Sequence, residues 1–390
     1  MKLMTQPTAK NLAALEPLYQ AWEEPNKHRV RAKKEGLPPE IKNYRRESPL
    51  PMVNRLRADV REWRETNYPG ASETTRYLLR HWFERDHTLE TPNGTIPFRY
   101  YFCQREAIET FIYLMEVRGT RNLTELVAAY GGPDAEKLAL GVNPDDDRWA
   151  RYAFKLATGA GKTKCMSLAM VWSYFHAKRE DHSPMAQHFV VIAPNLTVFE
   201  RLKEDFRPEE GGPDVFEKDP LIPTEWRGDW QMSVVLQDEA AGATSGGVIY
   251  LTNIHRLFET RKGRKDKDGD TYDWVGPKVN PGKVYDSAAE LRERITSHKS
   301  IMVLNDEAHH VWDPGSAWNK AIEWLHDTLK QRRGWGLTAQ LDFSATPKDN
   351  KGNIFPNVVC DTPLGEAVDA GIVKAPIIGK TDKLTEQASD

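Results

Sequence analysis

Cysteine is scarce in this 390-residue chain. Cys103, Cys165 and Cys360 lie far apart, are odd in number and form no CxxC pair. Such spacing argues against a disulfide framework and against a structural zinc site, and it fits a reducing, cytoplasmic setting. Net charge is scarce too. With 54 Lys and Arg against 57 Asp and Glu, the formal charge is -3. Contact with a polyanion therefore needs a local basic face rather than bulk attraction. No run approaches the ~18 consecutive apolar residues of a membrane span, and the start, MKLMTQPTAKNLAALEPLYQ, lacks an apolar stretch long enough for a secretory signal. Internal repeats and long low-complexity tracts are missing as well. What remains, 39% hydrophobic and 28% charged residues, is ordinary for a globular protein with a real core. At roughly 100–200 residues per domain, the length implies two or three domains.

The first ~50 residues are polar and proline-containing, with a basic cluster, KHRVRAKK, from Lys27 to Lys34. A solvated arm is the plain expectation for such a run, and contact with a nucleic-acid backbone the sharper one. Two helical patterns follow. Val53, Leu56, Val60 and Trp63 recur at three- and four-residue steps, so they share a face. In SETTRYLLRHWFERD, Ser72 is placed to cap, and Tyr77, Leu78 and Trp82 mark the buried side. A third helix is expected over Gln104–Val117.

From about Arg151, short β-branched runs alternate with helical patterns. Strands are expected at 152–157, 188–194, 233–238, 247–253, 300–306 and 341–345, with helices over Lys162–Lys178 and Ser316–Arg333, the latter capped by Ser316 and stopped by Gly334. Alternation of this kind implies an α/β lobe with a mainly parallel sheet. Two polar segments, Arg207–Gly228 and Arg261–Lys283, read as surface loops.

Three motifs carry chemistry. In FKLATGAGKTKCMSLAM, a strand meets a glycine loop and then a helix start. Gly159 and Gly161 let backbone N–H groups close on a phosphate, and the helix start adds partial positive charge. Lys162 suits the β- and γ-phosphates and Thr163 suits magnesium. The strict phosphate-loop pattern wants glycine where this chain has Leu156. In SIMVLNDEAHH, an apolar strand ends at Asp306 and Glu307, one suited to hold magnesium and the other to activate water. His309 and His310 have no spaced partners that would make them a metal site. In LDFSATP, Ser344 and Thr346 close another strand before Pro347.

Taken in order, these segments resemble helicase superfamily 2. LATGAGKT, through Thr158, Gly159, Ala160 and Gly161, is similar to motif I, whose first position is often not glycine; DEAH, Asp306–His309, is similar to motif II; SAT, Ser344–Thr346, is similar to motif III. By that resemblance His309, Ser344 and Thr346 couple the site to lobe movement, and Gln104 reads adenine. APNLTVFERL and YLTNIHRL resemble motifs Ia and Ib, which implies strand contacts by Asn195, Thr197, Thr252 and Asn253. More narrowly, KDPLIPTEW, VVLQDE, YLTNIHRL and TPLGEAVDAGIVKAPI resemble the Res subunits of type III restriction-modification enzymes, over about residues 95–380.

The resemblance implies a RecA-like P-loop lobe, using ATP and Mg2+, that moves along double-stranded DNA in restriction or phage defence with a DNA-methyltransferase (Mod) subunit as partner and no membrane. The expected division is 1–95 mostly helical, 96–375 the ATP-binding lobe and 376–390 a linker. Only 43 residues follow Pro347. No second lobe with its γ-phosphate arginines, and no nuclease, is therefore expected within the 390 residues, and the chain is expected to be either a fragment of a longer protein or a solitary first lobe. Such arginines contribute ~10³–10⁵ in rate, so turnover by the chain alone should be weak. A nucleotide-dependent docking module without translocation is the rival from another class, and a plain DNA-binding domain a third.

Overall fold

Strands that are apolar on both faces can leave water only in the middle of a layered structure. The computed structural model describes residues 16–30, 39–139, 142, 147–209, 211–237, 239, 246–253, 287–308, 317–348, 352 and 354–374. Two antiparallel hairpins come first: β1 (His28–Val30) with β2 (Glu40–Lys42), and β3 (His87–Thr91) with β4 (Gly94–Phe98). The main sheet contains β5 (Arg151–Leu156), β6 (His188–Ala193), β7 (Met232–Leu236), β8 (Gly247–Asn253), β9 (Ile301–Asn305), β10 (Ala339–Ser344) and β11 (Val358–Thr362). Its order is β11-β5-β10-β9-β6-β8-β7, and each neighbouring pair is parallel. This is an α/β, RecA-like P-loop lobe preceded by a mostly helical region.

The longer helices are α1 (Pro51–Glu65), α2 (Glu73–Glu84), α3 (Phe102–Ile112), α4 (Leu123–Tyr130), α5 (Lys162–Arg179), α6 (Leu196–Phe206), α7 (Ser287–Ser297), α8 (Ala317–Arg333) and α9 (Leu364–Asp369). α5 is buried on nearly every side from Cys165 to His176, as expected of a helix covered by further layers. Those layers come partly from the amino-terminal helices. Met52, Leu56, Val60 and Trp63 of α1 and Leu78, Leu79 and Trp82 of α2 belong to the same apolar cluster as Phe154 and Phe343 of the sheet. Trp172 of α5 donates to Thr75 Oγ1 at 2.8 Å, and Trp82 to the carbonyl of Leu221 at 2.7 Å.

Several sequence expectations need correction. Tyr77 is only half-buried, and Leu79 fills the face in its stead. Its ring stacks on Trp226 at 4.8 Å rather than entering the core. The third helix changes at Tyr113 into a π turn, Tyr113–Val117. Arg207–Gly228 is more than a surface loop, because Phe216, Leu221 and Ile222 within it are buried in the core. A short helix, Val215–Lys218, is capped there by Asp214. β11 was not anticipated. The basic cluster is anchored where it is described: His28–Val30 pairs in a hairpin, and Arg29 meets Asp369 at 2.7 Å. Ser316, Arg261–Lys283, His309, His310 and the 376–390 linker lie outside the described residues.

Candidate active site

In a parallel sheet all strands end on one side, so loops far apart in sequence converge there. β10 lies between β5 and β9. The glycine loop, the Ser-Ala-Thr end and the Asp-Glu end therefore sit side by side.

The loop between β5 and α5 is held open by two glycines with left-handed backbone, Gly159 at φ 87° and Gly161 at φ 85°. A Cβ on Gly161 would stand 2.2 Å from Gln104 Nε2, so a side chain there would displace the Gln104 amide as well as strain the left-handed backbone. Gln104 is buried in α3. Its Nε2 donates to the carbonyl of Ala160 at 3.0 Å, and its Oε1 accepts from the backbone N–H of Tyr101 at 3.0 Å. Thr158 is exposed at the loop tip and Ala160 is buried. Leu156 belongs to β5 and is buried in the apolar core. The position where the strict pattern wants glycine is thus a core position here, not part of the cradle.

Lys162 opens α5 and forms an ion pair with Glu307, 145 residues away. Asp306 has no exposed surface. Its backbone N–H donates to the carbonyl of Ile192 at 3.1 Å, which ties the end of β9 to β6. Its Oδ1 accepts the N–H of Glu307 at 2.9 Å, while its Oδ2 is paired with Arg201 of α6. Burial pushes the Asp306 carboxyl above its usual range, and the neighbouring Lys162 and Arg201 oppose that rise. Glu307 has φ 49°, a left-handed conformation that costs a non-glycine residue ~1–2 kcal/mol. Strain of this kind persists where the surroundings over-determine it, as at functional sites. Beyond Asp306, Asp205 of α6 is also raised by burial; the neighbouring Arg201 and Thr163 side chains pull the other way.

The remaining expected residues divide. Ser344 is buried, and its Oγ accepts the N–H of Thr346 at 3.1 Å, while Thr346 is exposed. Asn195 is exposed and caps α6 by accepting from Val198 N–H at 2.9 Å; Thr197 is exposed beside it. Thr252 and Asn253 are buried at the end of β8, where Thr252 Oγ1 donates to the Asn253 carbonyl at 3.1 Å. Asn253 N–H is held by Gln237 at 2.8 Å. Neither Thr252 nor Asn253 offers its side chain to an external strand in this state.

Sequence reasoning missed Arg201 and Asp205. They stand four residues apart on α6, but only the β9-β6 adjacency brings that helix over Asp306, 105 residues from Arg201. It also missed a polar group beneath the site. Asn305 donates to Asp342 at 2.6 Å, Arg151 meets Asp342 at 2.8 Å, and Trp318 donates to Asn305 at 3.2 Å. These contacts lock β5, β9 and β10 together just below Asp306.

A glycine loop opening a helix, with two carboxylates at the end of a nearby parallel strand, defines the class of helicase-like, P-loop ATP-binding motors. The family model for the type III restriction enzyme, res subunit, matches residues 96–349, and the chain belongs to that family. A comparison with curated proteins found no match. Among the described residues no helix is long and apolar enough to cross a membrane.

Proposed function

We propose that this chain is the motor lobe of a DNA translocase that hydrolyses ATP with Mg2+ and, working with a second lobe, moves along duplex DNA. The setting proposed is a type III-like restriction or phage-defence system with a DNA-methyltransferase (Mod) partner. One observation carries the reading: Lys162 and Glu307 meet in an ion pair, with Asp306 directly beside them.

The residues fit a magnesium nucleotide on two grounds. Cationic side chains already stand on both carboxylates, the charge that a metal–phosphate pair would replace. The loop is also shaped by two left-handed glycines, Gly159 and Gly161, a backbone that can close around a phosphate. The Thr163 hydroxyl and the Asp306 carboxylate are hard oxygen donors suited to magnesium. When bound, Mg2+ neutralises phosphate charge and orients the triphosphate.

Lys162 would release Glu307 and hold the β- and γ-phosphates. Glu307, freed, would orient the attacking water and accept its proton. Loop N–H groups at Thr158–Gly161 would hold phosphate oxygens, and Gln104 would face the base. Ser344 and Thr346, on the strand between the two halves of the site, would pass its state to a second lobe. For nucleic acid, the exposure of Asn195 and Thr197 favours contact through the start of α6. Thr252 and Asn253 would take part only after rearrangement.

The test is titration of a fluorescent ATP analogue with Mg2+ against the full chain and Lys162→Ala. Affinity should fall at least ~10-fold in the variant, the equivalent of ~1.4 kcal/mol. Equal affinity in both proteins would overturn the reading.

A further inference from the structure

Both oxygens of Asp306 are occupied. Oδ1 accepts the Glu307 N–H at 2.9 Å, and Oδ2 is paired with the guanidinium of Arg201. A buried carboxylate cannot stay ionised without a partner cation, and Arg201 supplies one. Yet the Arg201 side chain is 51% exposed while that of Asp306 is 0%. The arginine is thus a visitor from solvent, with half its surface already outside and little to hold it once a stronger cation arrives.

Asp205 lies one helical turn further along α6, a spacing that places two side chains on the same face. Its carboxylate feels the charge of Arg201. The carboxylate suited to a divalent cation therefore has its partner on α6, and that partner has a second carboxylate one turn away.

We propose that Arg201 is a positioning residue that stands in for the divalent cation at Asp306. It must swing to Asp205 before the metal is seated, and that movement frees Asp306. The proposal rests on the nucleotide-site reading above. α6 would then sense metal loading directly, because the guanidinium that leaves the site ends on the helix's own carboxylate.

Mn2+ is the probe, its binding to the full chain followed by electron paramagnetic resonance in the presence of ADP. Arg201→Gln removes the competitor while keeping a polar side chain, so Mn2+ should bind about five- to tenfold more tightly than to the unaltered chain. Arg201→Lys keeps a cation and should stay near the unaltered value. Unchanged or weaker binding in Arg201→Gln overturns the proposal. So does equal tightening in both variants, since the charge would then not be the competitor. Asp306→Asn serves as the reference for the site itself. If it leaves Mn2+ affinity unmoved, the nucleotide-site reading fails; if it weakens binding while Arg201→Gln changes nothing, that reading stands and only the stand-in role falls. Circular dichroism of each variant confirms that the comparison is between folded chains.

Discussion

Two sets of ion pairs differ in burial, one built on α3 and one at the strand ends. In the first, the rear lattice, Arg45 grips Glu106 through two contacts of 2.6 and 2.8 Å and also meets Glu366 at 2.9 Å. Arg64, Arg105 and the Tyr68 hydroxyl all converge on Glu109, at 2.8, 2.7 and 2.8 Å. Burial alone would raise Glu106, but Arg45 and Arg57 beside it hold the carboxyl at about 2. In the second, at the strand ends, Lys162 meets Glu307 and Arg201 meets Asp306, and one member of each pair reaches solvent. Buried pairs with several partners are costly to break, whereas pairs with one wet partner exchange readily. The contrast separates charges that hold the amino-terminal layer on the lobe from charges that we propose a ligand takes over.

The largest effect should come from the rear lattice. Glu106→Ala leaves Arg57 and part of Arg45 without a carboxylate in a buried setting and should cost about 3–5 kcal/mol in urea unfolding. A loss below ~1 kcal/mol would erase the contrast.

Acid should act next, and away from both sets. Burial holds His81, His188 and His326 down at about 4 from their ordinary 6.5. Each binds its proton more weakly in the folded chain than in the unfolded one. The unfolded state therefore takes up more protons between about pH 6.5 and about pH 4, and stability should fall as pH drops through that window. For the well-buried His81 the loss is on the order of 3 kcal/mol. Thermal unfolding from pH 8 to pH 4 checks this; a flat melting temperature would show that these rings are not buried neutral.

The smallest effect belongs to the strand ends. Asn195→Ala removes the cap of α6 and should cost about 1 kcal/mol by urea unfolding. A much larger loss would mean that α6, and Arg201 with it, is more rigidly fixed than an exchangeable pair allows.

How much of this was legible beforehand follows from range. The glycine loop, the strand it follows and the helix it opens are local, so Gly159, Gly161 and Lys162 could be placed from spacing alone. Asp306 and Glu307 were legible because an apolar strand must end somewhere and carboxylates at its end face solvent or ligand. The α1 stripe, Val53 to Trp63, was legible because helical periodicity survives burial. Arg201 and Asp205 were not, since nothing within α6 says which strand lies beneath it. Asp342 and Asn305 drew no reading from the sequence, and only their mutual contact explains polar side chains within buried strands. Tyr77 was misread because an aromatic ring on a helix face can cover a neighbouring tryptophan as well as a core. The 207–228 segment was misread because its polar majority conceals Phe216, Leu221 and Ile222.

Gln104 is committed at both ends of its amide, to the phosphate loop through Ala160 and to the first turn of α3 through Tyr101. Its sequence neighbours, Arg105 and Glu106, are members of the rear lattice. A purine bound as proposed would find the second Nε2 hydrogen and the second Oε1 lone pair still open. It would meet an amide whose orientation the loop and the helix start had already set.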